Sequence, residues 1–119
     1  MAKLVSVIVT SYNHEAFLDQ RMQSILKQTY KNIEVIVIDD CSVDNSKQVL
    51  EPYKKNKHVQ IKCLKLNGGY ANACNLGVEL SSGEYIMFAE CDDYNDPRHI
   101  ELLVEALEAD DSIGVAYCK

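Results

Sequence analysis

Two short runs constrain this chain more than anything else in it. Leu4 to Thr10 (LVSVIVT) and Ile33 to Ile38 (IEVIVI) are of strand length, β-branched and apolar at most positions. A strand with one wet face alternates apolar and polar residues. Runs apolar on both faces belong to parallel sheets covered by helices on each side. Phe17, Leu18, Met22, Ile25 and Leu26 recur at helical spacing and predict a helix from Asn13 or His14 to about Lys27. Ser42 or Asp44 can cap a second helix running to about Tyr53. Val59 to Leu64 alternates and reads as a third strand at a sheet edge. The Asn67-Gly68-Gly69 turn leads into a helix over Tyr70 to Leu80, with Gly77 a weak point inside it. Glu84 to Ala89 is a fourth strand, read as buried on both faces, and Pro97 to Ala109 an amphipathic helix with Ile100, Leu103, Val104 and Leu107 on one face. Ile113 to Tyr117 is a last short strand. Alternating strands and helices predict an α/β fold: a mostly parallel sheet, helices on both faces, right-handed crossovers.

The 119 residues, 1–119, make one domain, large enough for a single core. Lys plus Arg number 12 and Asp plus Glu 18, a formal net charge of −6. That argues against a nucleic-acid partner, since phosphate backbones need a basic face. It leaves open a phosphate ligand held through a bridging cation. The five cysteines (Cys41, Cys63, Cys74, Cys91, Cys118) are odd in number and form no C-x-x-C. Reduced thiols and a cytoplasmic location, with room for association with the cytoplasmic membrane face, are the expectation. No signal peptide and no membrane-spanning stretch are expected.

In open parallel sheets, ligands bind outside the carboxyl ends of the strands. Polar residues collect at those ends here: Thr10 to Asn13, Asp39 and Asp40, Asn67, and Glu90 to Asp93. Each alone also reads as a turn or helix cap, and Ser42, Asp44 and Asn67 most readily so. The fourth strand delivers Glu90, Asp92, Asp93 and Asp96 together. Oxygen ligands without a His or Cys pair suit Mg²⁺ or Mn²⁺ rather than zinc. The plainer alternative is a solvated acidic turn in which Asp96-Pro97 opens the next helix. No G-x-G-x-x-G follows the first strand, and no P-loop lysine motif occurs. A pyrophosphate here would therefore need a cation, and the Asp39-Asp40 pair could accept hydrogen bonds from a base N–H or from ribose hydroxyls. The residues thus suggest a metal-dependent nucleoside-diphosphate site.

The chain resembles the amino-terminal, nucleotide-binding half of family 2 glycosyltransferases, which have the Rossmann-like GT-A fold. The resemblance runs through Val5-Ser6-Val7-Ile8-Val9-Thr10-Ser11-Tyr12-Asn13, Ser24-Ile25-Leu26-Lys27-Gln28-Thr29-Tyr30 and Val37-Ile38-Asp39-Asp40-Cys41-Ser42-Val43-Asp44. It continues with Asn67-Gly68-Gly69, Asn75-Leu76-Gly77, Gly83-Glu84-Tyr85-Ile86 and Asp92-Asp93. It implies a strand order of 3-2-1-4 for the first four strands. It implies inverting transfer of a sugar from a nucleotide donor, usually a UDP-sugar, to an acceptor hydroxyl. Thr10 and Asp40 would lie near the base, with Asp39, Tyr12 and Asn67 in the same nucleotide site. The family's D-x-D element falls on Glu90-Cys91-Asp92. Asp92 would coordinate Mn²⁺ or Mg²⁺, and Glu90 would lie near the ribose or the metal's surroundings.

Two departures stand out. Glu90 replaces the usual Asp, and Cys74 stands where many members carry an Arg. Family members also continue into an acceptor-binding half that holds the catalytic base. The chain therefore reads as a donor-binding domain truncated before that half, its catalytic base unknown, because the resemblance places Asp93 and Asp96 beside the donor. The expected partners are a nucleotide-sugar and a glycan, lipid-linked or protein acceptor. A homodimer through the exposed edge of the fourth strand is expected as well, unless Ile113 to Tyr117 covers that edge. Two alternatives remain at this level. One is a catalytically incomplete nucleotide-binding or interaction module. The other is a receiver-like signalling domain, although receivers carry their acidic pair after the first strand.

Overall fold

The structure is a computed structural model that describes residues 3–13, 15–89 and 97–109. Glu90, Asp92, Asp93 and Asp96 lie outside the described residues, as does the strand expected over residues 113–117.

The elements are β1 (Val5–Ser11), α1 (Glu15–Leu26), β2 (Ile33–Asp39), α2 (Ser46–Leu50), a 3₁₀ turn (Glu51–Lys55), β3 (Val59–Cys63), α3 (Tyr70–Leu80), β4 (Tyr85–Ala89) and α4 (His99–Ala109). The helix expected to run unbroken to Tyr53 changes character at Glu51. Pro52 lacks an N–H and crowds the preceding turn, so the α-helix stops and a tighter turn follows. The four strands are all parallel, in the order β3-β2-β1-β4. Val7 lies opposite Val35 on one side and Met87 on the other.

Strand alternation divides the core in two. On one face Val5, Val7, Val9, Val35, Val37 and Met87 pack with Leu18, Met22 and Ile25 of α1, Leu50 of α2, and Ile100 and Val104 of α4. On the other, Ile36 and Ile38 pack with Ala73 of α3, flanked by Leu76 and Leu80. Each fully buried branched aliphatic contributes about 1.5–3 kcal/mol relative to leaving it exposed. These β1 and β2 residues are therefore the main anchor of the fold.

The α3 helix sits close to the sheet because residue 77 is glycine. A Cβ there would come within 2.5 Å of the Ile8 Cγ2 atom. The residue that weakens the helix pattern in the sequence is the one that lets the helix dock. Gly83 has a similar reason: a Cβ would meet the Ser6 backbone N at 2.7 Å. The amide of Gly83 donates to the Ser6 Oγ at 2.8 Å, and Ser6 donates in turn to the Glu34 carboxylate at 2.5 Å. That stitch fixes the entry into β4.

The expectation that β4 is buried on both faces does not hold among the described residues. Met87 and Ala89 are buried, but Ile86 and Phe88 are exposed. Alternation puts them on the α3 side, and α3 packs over β1 and β2 instead.

Candidate functional site

The candidate site is the rim at the carboxyl ends of the strands. Its frame extends the sheet one step beyond the strands: the Asp40 amide donates to the Ser11 carbonyl, and the Leu64 amide to the Asp39 carbonyl, both at 2.8 Å. The ends of β1, β2 and β3 are thus held level by backbone hydrogen bonds.

The two adjacent aspartates serve different faces, because neighbouring residues of a strand point in opposite directions. Asp39 shares the face of Val37 and is fully buried. Its Oδ1 accepts from the Ser42 hydroxyl at 2.5 Å, and its Oδ2 from the Ser42 amide at 3.0 Å. Cys41 turns the chain back beneath it with a φ of 62°. Asp40 points to the α3 side. Its Oδ1 accepts from the Gly68 amide at 2.8 Å, and its Oδ2 from the Gly69 amide at 2.9 Å. A single carboxylate therefore clamps the turn that opens α3. The Asn67 side chain accepts from the same Gly69 amide at 3.2 Å. Gly69 takes a φ of 88°, which glycine reaches without penalty.

The β1 end is tied in by Asn13. Its amide donates to the Ser42 hydroxyl at 2.9 Å, and its side-chain oxygen accepts from the Val43 amide at 2.9 Å. Asn is among the residues that tolerate the left-handed φ of 57° found there. Asp44 bridges two helix starts: one oxygen accepts from the Ser46 amide and hydroxyl at 2.9 and 2.6 Å, the other from the Glu15 amide at 3.1 Å. Burial pulls the Asp44 carboxyl up, but these hydrogen bonds outweigh it and hold it below the usual carboxylate range.

Thr10 on this rim is half-buried, Tyr12 and Asn67 are exposed, and Asp39 and Asp40 are buried. The structure thus brings five of the expected site residues to one rim. Glu90 and Asp92 lie outside the described residues, directly after the end of β4, where Ala89 pairs with Val9. Among the described residues no group of three or more His, Cys, Asp or Glu could hold a metal ion. Sequence reasoning gave Ser42 a capping role and Asn13 a place in a turn or at a helix start. Both prove to be the links that lock the β1 and β2 ends together. The D-x-x-S spacing of Asp39 and Ser42 was the available signal. Ser11 adds a buried hydroxyl with no hydrogen-bond partner among the described residues.

The comparisons with known proteins agree with this architecture. The family model for glycosyl transferase family 2 matches residues 6–118. An uncharacterized glycosyltransferase of Haemophilus influenzae is 42% identical over 111 residues, 92% of this chain and 34% of the relative. Glycosyltransferase GlyG of Streptococcus pneumoniae is 38% identical over 121 residues, 98% of this chain and 40% of the relative. The chain therefore spans well under half the length of these relatives. The crystal structure of S. aureus TarS 1-349 in complex with UDP-GlcNAc superposes with a TM-score of 0.79 at 30% identity, over 88% of this chain and 31% of that TarS 1-349 chain. With that match along its length, and a parallel sheet ordered 3-2-1-4, the chain belongs to glycosyl transferase family 2.

Proposed function

We propose that this chain is a donor-binding domain that takes a nucleotide-diphospho-sugar at the carboxyl rim of its sheet, for inverting transfer of the sugar to an acceptor hydroxyl. The observation that carries the reading is the convergence of three strand ends on one rim, locked by Asp39, Asp40, Asn13 and Ser42. The TarS structure with UDP-GlcNAc, at 30% identity, supports a UDP-sugar as the donor.

In this reading Thr10, Tyr12 and Asn67 offer half-buried or exposed groups to the nucleotide. Asp40 holds the Gly68–Gly69 backbone in place with one lone pair of each oxygen, which leaves acceptor capacity for a base N–H. Asp39 acts from beneath, through the Ser42 turn. Asp92 would hold Mn²⁺ or Mg²⁺, with Glu90 near the ribose. Carboxylate oxygens are the ligands that such a hard cation prefers. When bound, the cation supplies Lewis-acid neutralisation of the departing diphosphate. The acceptor is a glycan, lipid-linked or protein hydroxyl, and its site and the catalytic base belong to a further part of the enzyme. No helix among the described residues is long and apolar enough to cross a membrane, and Cys41, Cys63 and Cys74 are free thiols. The reading places the domain in the cytoplasm, where reduced thiols persist. Self-association through the β4 edge belongs to it too.

The test is a titration of UDP, GDP and TDP with and without Mn²⁺, read by thermal shift. A ligand that binds only the native state raises the melting temperature with concentration. A Mn²⁺-dependent shift, largest with UDP, is the expected result, and no shift with any of the three would overturn the reading.

A further inference from the structure

Six lysines collect along one border of the sheet. β3 is the edge strand beyond β2, and its outer side pairs with no strand among the described residues. Lys47 lies on α2, Lys54 and Lys55 on the 3₁₀ turn, Lys57 just before β3, Lys62 on β3 and Lys65 just after it. All six are exposed. Residues 47–65 hold these six lysines and one acid, Glu51, a net +5 in a chain of net −6, which leaves −11 on the rest. Of the six, only Lys54 is ion-paired among the described residues, with Glu51 at 3.0 Å.

The packing draws these cations onto one border. The 3₁₀ turn packs against β3, and the Val59 amide donates to the Asn56 carbonyl at 3.0 Å. Burial first, and the Asp39 carboxylate second, push the Cys63 thiol up, while the ammonium groups of Lys47 and Lys54 pull it down. Both cations therefore reach the carboxyl end of β3. There the Cys41 thiol donates to the Lys65 carbonyl at 3.4 Å, tying the loop after β2 to the loop after β3. Those two loops carry the most exposed large apolar side chains of the described residues, Val43 at 84% and Leu66 at 82%.

Lysine on an edge strand blocks unwanted pairing, and Lys62 suffices for that. The other five are not on the strand. A merely solvated face mixes both signs of charge, whereas this border is almost wholly basic. Its field favours an anionic partner. A soluble polyanion would use the cations alone. Val43 and Leu66 add apolar surface at the rim end, which is buried only by a partner with an apolar layer behind its charges.

We infer that the β3 border is a docking surface for an anionic lipid bilayer, with the lysines on the headgroups and Leu66 and Val43 entering the interface. The inference goes beyond the donor-site reading and does not rest on it. Each lysine near such a surface contributes about fivefold in affinity.

The experiment measures co-sedimentation of the full chain with vesicles of phosphatidylcholine, alone or with about one third phosphatidylglycerol. Binding should require phosphatidylglycerol and fall steeply as salt rises from about 0.05 to about 0.5 M. Lys55→Gln/Lys57→Gln should weaken it by about tenfold or more. Leu102→Glu/Ala106→Glu changes the net charge equally, at exposed positions of α4, which Glu108 ties to Lys3 on the β1–β4 side. That variant should stay within about twofold of the parent. The chain has no tryptophan, so Leu66→Trp supplies a single fluorescent probe, and its emission should shift to the blue on the anionic vesicles. No binding to those vesicles would overturn the inference, as would equal losses in the two double variants. Binding to soluble polyphosphate but not to vesicles, or vesicle binding with no blue shift, would overturn it as well, because the border would then be a plain polyanion surface.

Discussion

Asp40 holds Gly69: its Oδ2 accepts the Gly69 amide at 2.9 Å while its other oxygen accepts that of Gly68. The end of β2 is thereby joined to the start of α3 through one buried side chain. Asp40→Ala leaves two amides without their acceptor and removes the proposed base contact. UDP affinity should fall by about 1–3 kcal/mol, the range for deleting the partner of a buried donor. Calorimetric titration checks it, and binding equal to that of the parent would remove Asp40 from the site.

Asp92→Asn keeps the size of the proposed metal ligand and removes its charge. Mn²⁺-dependent UDP binding should be largely lost while metal-free binding persists. If the variant binds UDP with Mn²⁺ as the parent does, Asp92 is not the ligand.

Gly77 lies against Ile8, with 2.5 Å between the position of an added Cβ and the Ile8 Cγ2 atom. Gly77→Ala would raise helix propensity, yet it must push α3 off the sheet or force Ile8 aside. Overpacking of this kind costs about 1–3 kcal/mol. Denaturant unfolding should show destabilisation, and a gain in stability would contradict the close approach.

Tyr53 is buried beside α1, where its hydroxyl donates to the Asp19 carboxylate and accepts from the Gln23 side chain at 2.9 Å. Burial first, and the Asp19 hydrogen bond second, push its pKa from 10.0 up to about 12. The native state then holds this proton more tightly than the unfolded chain does. The contribution is present in full below about pH 10 and is lost as pH rises towards 12. Unfolding followed across that window should show a decline of up to about 3 kcal/mol from this group, at about 1.4 kcal/mol per pKa unit. Tyr53→Phe should flatten that part of the profile, and an unchanged slope would show that another group carries it.

Ile86 and Phe88 are exposed on β4, which is an edge strand among the described residues. An apolar edge invites pairing with a second chain. Sedimentation at micromolar concentration should detect a dimer, and Phe88→Lys should shift it towards monomer. A monomeric parent would show that the edge is not a contact between copies.

The sequence by itself determined the fold class. The runs at Val5–Ser11 and Ile33–Asp39 are apolar on both faces, and only a parallel sheet with helices on each side can bury them. It also marked the rim, because polar residues that end apolar strands have few other places to lie. It could not say what the Asp39-Asp40 pair does. Adjacent in the chain, the two carboxylates point to opposite faces, one to the Ser42 turn and the other to the Gly68–Gly69 amides. It gave no partner to Gln28, whose side chain accepts from the Ile100 amide, 72 residues away. It took Gly77 for a flaw, since the Ile8 side chain that requires a glycine comes from a different strand. Local pattern specifies which elements form and which face they bury. Which hydrogen-bonding group meets which is decided when elements distant in sequence are packed together, and that information exists only in three dimensions.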